Sequence, residues 1–261
     1  MYPDRETEFS RRYLKNMLSV LPDPYCLMGG WSVYLTLKER FRETTGREYP
    51  GSRDIDLGFH LDPKWKPREF EGSAFGKAIK KIRTMGFEPE SFRFVKRYHL
   101  WEERELTPEE ERSLPQYDIF NLYLDVLVDT KDPKRFKVAR FKVLEEPLLA
   151  KVFSGTGYVK TDLDGVSVTM PAPQLLMEMK VKSFPGRTQD DKRTKDLIDL
   201  CALVLYSGVR PPLISATAAG KRRLERFERA VDDTKEEEWN GVAAALDVSA
   251  SVAKRTASSV K

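Results

Sequence analysis

The sequence changes character near residue 170, and that change constrains the fold more than any single motif does. Before it, short strand-like runs alternate with amphipathic helical stretches. From "PAPQLLMEMKVKSF" onward every patterned segment reads helical. Mixed elements followed by helices alone predict an α/β (α+β) domain over residues 1–170, a small mixed sheet flanked by helices, and a helical domain over 171–261. A chain of 261 residues is long enough for each part to bury a core.

Within the first part, "TEFSRRYLKNMLSV" (7–20) has helical periodicity and is ended by "LPDP". "YCLM" reads as a short buried strand stopped by Gly29 and Gly30. "WSVYLTLKERF" follows as a helix with Val33, Leu37 and Phe41 on one face. "RETTGREYPGS" is a loop and "RDIDLGFHL" a strand. "SAFGKAIKKIRTMGF" is a helix with a stripe of Phe75, Ile79 and Ile82, closed by Gly86. "FRFVKRYHL", "YDIFNLYLDVLVDT", "RFKVARFKVL" and "GVSVTMP" are strand-like, and the charge run "EERELTPEEER" reads as a solvated loop.

Composition narrows the class. Lys+Arg number 45 against 41 Asp+Glu, a formal charge of +4, which permits a polyanionic partner without demanding one. No apolar run approaches the roughly 18 residues of a membrane span, and "MYPDRETEFSRRYL" lacks a signal-peptide core. The expectation is a cytoplasmic protein with no membrane partner. Cys26 and Cys201 stand far apart in apolar contexts, so neither a disulfide framework nor a zinc site is indicated. Three Asn and three Gln beside abundant Glu, Lys and Arg resemble thermophile composition.

The chemistry concentrates in three carboxylates. On a strand, residues i and i+2 share a face about 6.5–7 Å apart, so Asp54 and Asp56 point the same way. Two acids this close repel unless a cation stands between them, and hard divalent cations use such oxygen clusters while leaving positions open for phosphate. Asp125 interrupts an apolar strand between Leu124 and Val126, where a carboxylate must be paired, protonated or metal-bound. A strand carrying Asp125 beside the strand of Asp54 and Asp56 brings all three together. The plainer readings are acids that face water, and an Asp125 that only pairs with an arginine. Asp129, nearer the strand end, reads as a turn residue. Gly29 and Gly30 at a strand-to-helix junction let backbone approach a ligand, and the following helix offers free N–H groups and its positive dipole end to phosphate. Tight packing explains many such pairs equally well. Ser32, in the first turn, either adds a hydroxyl contact or caps the helix.

Together, "GGWSVYL", "SRDIDLGF" and "YLDVLV" resemble the nucleotidyltransferase superfamily that includes DNA polymerase β, the aminoglycoside nucleotidyltransferases and the AbiEii-type toxins. Downstream, "PAPQLLMEMKVKSFPGRTQDDKRTKDLIDLCALV" is similar to the AbiEii-type pattern, so the resemblance covers about residues 20–205. It implies the nucleotidyltransferase fold and an enzyme that moves NMP from an NTP to a hydroxyl. Mg²⁺ (or Mn²⁺) would be held by Asp54, Asp56 and Asp125, with Asp125 the candidate base. Gly29, Gly30 and Ser32 would meet the nucleotide, Lys180 would line its pocket and contact phosphate, and Asp196 and Asp199, on one helical face, would brace the basic groups. Arg53 is a weaker candidate, its side chain directed away from the acids. The helical domain would complete the nucleotide pocket. The acceptor would be RNA such as tRNA, a protein hydroxyl or a small molecule, with an antitoxin as a further partner. The alternatives are an aminoglycoside-like enzyme and a non-catalytic nucleotide-sensing or DNA-binding regulator. Two departures from the family stand out. The interval from Gly30 to Asp54 is long, which marks 42–52 as an insertion, and Trp31 replaces the more usual serine.

Other features carry less. His60 and His99 show no metal-ligand spacing, and "GTG" (155–157) is too short for a phosphate loop and reads as a hairpin turn. "FRFVKRYHLW" interleaves aromatic and basic residues as single-strand binders do, and as any amphipathic strand on a basic surface does. The segment 236–260 has a helix-turn-helix look that a packed helical hairpin equally explains.

Overall fold

The structure is a computed structural model and describes residues 4–130 and 143–260. The strand-like segment "RFKVARFKVL" therefore lies outside the described residues, except for its last two. The chain divides into two compact units, residues 2–32 with 51–171, and residues 33–50 with 172–261. One break falls at 171/172, and the segment 33–50 groups with the helices that follow it.

The first unit opens with α1 (Asp4–Leu18), β1 (Cys26–Met28) and the start of α2 (Gly29–Thr45). After β2 (Ile55–Phe59) come α3 (Pro67–Gly72), α4 (Ala74–Thr84), β3 (Glu88–Glu90), β4 (Arg93–His99), α5 (Pro108–Ser113) and β5 (Ile119–Val128). The two-residue β6 (Leu144–Glu145), α6 (Leu149–Phe153), β7 (Tyr158–Leu163) and β8 (Val166–Pro171) complete it. The main sheet is mixed, in the order β1-β2-β5-β4-β3, with β6 pairing the end of β5. Along β5 the side chains alternate, with Phe120, Leu122, Leu124, Val126 and Val128 buried and the residues between them half-buried. One face of the strand thus packs on the core, as period-2 patterning dictates. Phe9 of α1 closes that core, edge-on to Tyr98 and Phe120 at 4.8 and 5.1 Å between ring centroids. The stripe of Phe75, Ile79 and Ile82 on α4 is buried as expected, and Gly86 follows with φ +83°.

Two local expectations need correction. The charge run after β4 is not all loop. Thr107 accepts from Glu110 N–H and Glu110 accepts from Thr107 N–H, a capping box with Pro108 in the first turn, and it nucleates α5. None of its side chains is buried, so the apolar pattern that announces other helices is missing. The hairpin turn is also not at "GTG" (155–157), which joins α6 to a strand, β7, that the hydrophobic pattern does not announce. That strand pairs with β8 through Asp164 and Gly165, at φ +50° and +90°, the left-handed pair that a two-residue hairpin turn requires.

The helical unit holds most of α2, then α7 (Pro173–Ser183), α8 (Asp190–Tyr206), α9 (Ala218–Asp232), α10 (Glu236–Leu246) and α11 (Ala250–Ser258). Val33, Leu37 and Phe41 are fully buried in its core among Leu197, Cys201, Phe227 and Trp239. Arg193 stacks its guanidinium 4.4 Å from the Phe184 ring and donates to Glu238, joining α8 to α10. The α10–α11 turn uses Asp247 at φ +57° and Ser249 as N-cap. Ala253 and Ala257 of α11 are buried, and Ala253 O accepts from Cys201 of α8. Among the described residues no helix is long and apolar enough to cross a membrane.

Candidate functional site

Strand register assembles the acids. β2 and β5 run parallel with Asp56 abreast of Asp125, and β4 runs antiparallel on the other side of β5 with Arg93 abreast of Asp125. Residues directly opposite on neighbouring strands share a face, with Cβ atoms about 4.5–5.5 Å apart. Asp56, Asp125 and Arg93 therefore form one row across three strands, on the half-buried face of β5. The alternation of "RDIDLGFHL" puts Asp54 within the strand. It lies instead one residue before β2, in the bend that leads into Ile55, with its side chain 19% exposed.

The glycine pair is explained by the same register. Met28, the last residue of β1, is paired with Asp56, so the chain turns into α2 beside that carboxylate. Gly29 has φ +63°, and a Cβ there would stand 1.8 Å from Asp56 Oδ2. A Cβ on Gly30 would meet Ser52 Oγ at 2.8 Å. Only glycine satisfies the first position on both counts. The helix starts at Gly29 itself rather than at Trp31, which puts its opening N–H groups and positive dipole end at the acid row. Trp31 and Ser32 turn inward: the indole donates to Ser10 Oγ at 3.2 Å, and the fully buried Ser32 hydroxyl donates to Leu27 O at 2.6 Å.

Arg93 is the site residue that sequence reading missed. Its Nε and Nη2 donate to the two oxygens of Asp125 at 2.9 and 2.8 Å, a bidentate fork with both side chains largely buried. The guanidinium lies 4.4 Å from the Tyr123 ring centroid and 5.3 Å from that of Phe92. Burial alone would weaken its charge, but Asp125 and then Asp54 hold its pKa above the ordinary value. Arg53 reaches Glu6 at 3.3 Å and sits 4.0 Å from Asp54.

The donor chemistry of Asp54, Asp56 and Asp125 suits a hard divalent cation, and Gly29, lacking a Cβ, brings its backbone close to the Asp56 carboxylate. The arrangement as it stands is not a formed metal cluster. Among the described residues no group of three or more His, Cys, Asp or Glu side chains is placed to hold a metal ion. Asp125 is turned onto Arg93.

The helical unit contains a second charged constellation, built from the other sequence-predicted residues. Lys180 Nζ donates to Asp196 Oδ1 at 2.6 Å and to Asp199 Oδ2 at 2.7 Å, and all three are buried. Arg187 and Ser183 donate to the remaining Asp196 oxygen at 2.7 and 3.1 Å. Tyr49 donates to Asp199 at 2.7 Å, and Lys195 donates to the same oxygen. Burial would raise the Asp199 carboxyl, yet Lys180 and Lys195 hold it down at about 2. Asp196 is likewise lowered by Lys180 and Arg187 against its burial, and Lys180 is raised by the two aspartates against its own. The i, i+3 spacing of the aspartates is legible in sequence; Tyr49, which reaches Asp199 from the segment between α2 and β2, is not.

Elsewhere, Asp129 accepts from His60 at 2.6 Å and from Leu61 N–H at 2.9 Å, fastening the ends of β2 and β5. Both cysteines are free and buried, with Cys201 pushed up to about 12 by burial, so neither is a reactive thiolate.

Comparison with known proteins finds no family model that matches this chain and no matching curated protein. Among solved structures, it is similar to an antigenic nucleotidyltransferase-like protein from Paracoccidioides brasiliensis, at 17% identity and a TM-score of 0.44, over 94% of this chain and 93% of that one.

Proposed function

We propose that this chain is a nucleotidyltransferase that moves NMP from an NTP to a hydroxyl acceptor. The observation that carries the reading is the placement of Asp56 abreast of Asp125 on parallel strands, with the Gly29 backbone packed on the Asp56 carboxylate at the start of α2. The sequence resemblance carried by "GGWSVYL", "SRDIDLGF" and "YLDVLV" supports it.

Each part of the site has a task in this reading. Gly29 and Gly30 let a triphosphate approach the opening N–H groups of α2, where the dipole favours anions. Asp54, Asp56 and Asp125 are the residues that would hold Mg²⁺ or Mn²⁺, whose chemistry when bound is to neutralise phosphate charge and acidify a hydroxyl. Asp125 takes the proton of the acceptor hydroxyl as its oxygen bonds to the α-phosphorus. The bond from that phosphorus to the bridging oxygen breaks, and pyrophosphate leaves. Ser32 ties the turn that presents the glycines to β1, and Lys180 with Asp196 and Asp199 braces α7 against α8. The acceptor class favoured by the sequence resemblance is a macromolecule, RNA or a protein hydroxyl.

The test is to incubate the protein with Mg²⁺ and each α-labelled NTP, offering pooled tRNA, protein and small hydroxylated acceptors in turn. Transfer of label by the wild type, lost in Asp56→Ala, supports the assignment. NTP binding without label on any acceptor contradicts it.

A further inference from the structure

Arg93 stands in the acid row where charge neutralisation is needed, and it is fixed there on several sides. Register sets it opposite Asp125, its fork takes both carboxylate oxygens at 2.9 and 2.8 Å, and the Tyr123 ring supports its plane at 4.4 Å. Only 16% of the side chain is exposed. A bidentate, charge-assisted pair of this kind is geometrically specific and strong. It also claims the oxygens that Asp125 would offer a cation, and a guanidinium this close repels a divalent ion at reduced dielectric.

We propose that Arg93 is a positioning residue that competes with a divalent cation for Asp125. The inference rests on the nucleotidyltransferase reading of the acid row. With the pair closed, the third carboxylate is withheld and the row is not a metal cluster. With a cation at Asp54 and Asp56 the pair opens, Asp125 turns to the cation, and Arg93 remains on the Tyr123 face with its fork vacated. That planar fork fits phosphate as well as carboxylate, so the freed guanidinium is suited to the anionic part of a nucleotide. Assembly of the metal site and presentation of a phosphate-binding cation become one event.

The experiment is a Mn²⁺ titration followed by the electron paramagnetic resonance signal of the free ion. It uses the full chain as wild type, Arg93→Gln, Arg93→Lys, Asp56→Asn and the double variant Arg93→Gln/Asp125→Asn, each checked for folding by circular dichroism. Arg93→Gln is expected to bind Mn²⁺ at least about tenfold more tightly than wild type. Arg93→Lys, which holds Asp125 by a single point charge, falls between. Adding Asp125→Asn cancels the gain. Loss of a purely structural pair would not tighten metal binding, so unchanged or weaker binding in folded Arg93→Gln overturns the inference. The acid-row reading survives that outcome when Asp56→Asn abolishes wild-type binding. If neither wild type nor Arg93→Gln binds Mn²⁺, the acid-row reading itself fails and the inference falls with it. Should Arg93→Gln not fold, Arg93→Lys decides, and binding no tighter than wild type overturns the proposal.

Discussion

Gly29→Ala is the substitution whose consequence the geometry fixes most closely. An alanine must adopt φ +63°, a left-handed conformation that costs roughly 1–2 kcal/mol for a residue with a Cβ. Its methyl carbon would stand 1.8 Å from Asp56 Oδ2, where real Cβ contacts stay beyond 3.0 Å. Either the carboxylate retreats by more than about 1 Å or β1 and α2 shift; a displacement of that size in a reacting group costs on the order of 10²-fold in rate. The backbone term lowers the melting temperature by about 2–8 °C in a chain of this size. The assay pairs a thermal melt by circular dichroism with initial rates of label transfer. The expected variant is folded, modestly less stable and about a hundredfold slower. A folded Gly29→Ala protein within about threefold of wild-type rate would refute the claim that Asp56 works where the glycine holds it.

The remaining predictions concern the buried cluster. Lys180→Met leaves Asp196 and Asp199 buried without the ammonium that bridges them, and removing one partner of such a cluster costs about 3–5 kcal/mol. The melting temperature should fall by roughly 10 °C, and a fall under about 2 °C would show that Arg187, Lys195, Ser183 and Tyr49 suffice alone. The same cluster sets an acid limb. Asp199 sits at about 2 in the folded protein, below its ordinary value, so its stabilisation is present above about pH 4 and is lost as pH falls toward 2. The loss amounts to roughly 2 kcal/mol. Urea midpoints at pH 5 and pH 2.5 check it: the drop should shrink in Lys180→Met, and an equal drop in both proteins would contradict the assignment.

Much of the architecture was legible because it rests on short-range periodicity. The stripes on α2 and α4 and the alternation along β5 can be read from residues within one element. Asp125 could be singled out because a carboxylate among Leu124 and Val126 needs a partner. Which partner it has depends on how β4 registers against β5 across a charged connection, and the pattern of neither strand states that register. Arg93 was therefore visible only as part of a basic, aromatic strand. Two other misses had signals. Thr107 and Glu110 stand at capping-box spacing inside what reads as a charge run, and "DG" at 164–165 is a hairpin signal that announces β7. The strand begins one residue after Asp54 although β-type alternation continues back into the bend before Ile55, so sequence alone does not mark its start.

The central claim is that chemistry at the acid row occurs at the α-phosphorus. It is tested most directly by the fate of two labels. NTP labelled at the α- or the γ-phosphate is incubated with Mg²⁺, acceptor and the full chain, and the products are separated. The account predicts α-label on the acceptor, γ-label only in pyrophosphate, the two in equal amounts, and loss of both in Asp56→Ala. Appearance of γ-label on the acceptor, or its release as inorganic phosphate while the α-label stays in nucleoside diphosphate, would contradict it.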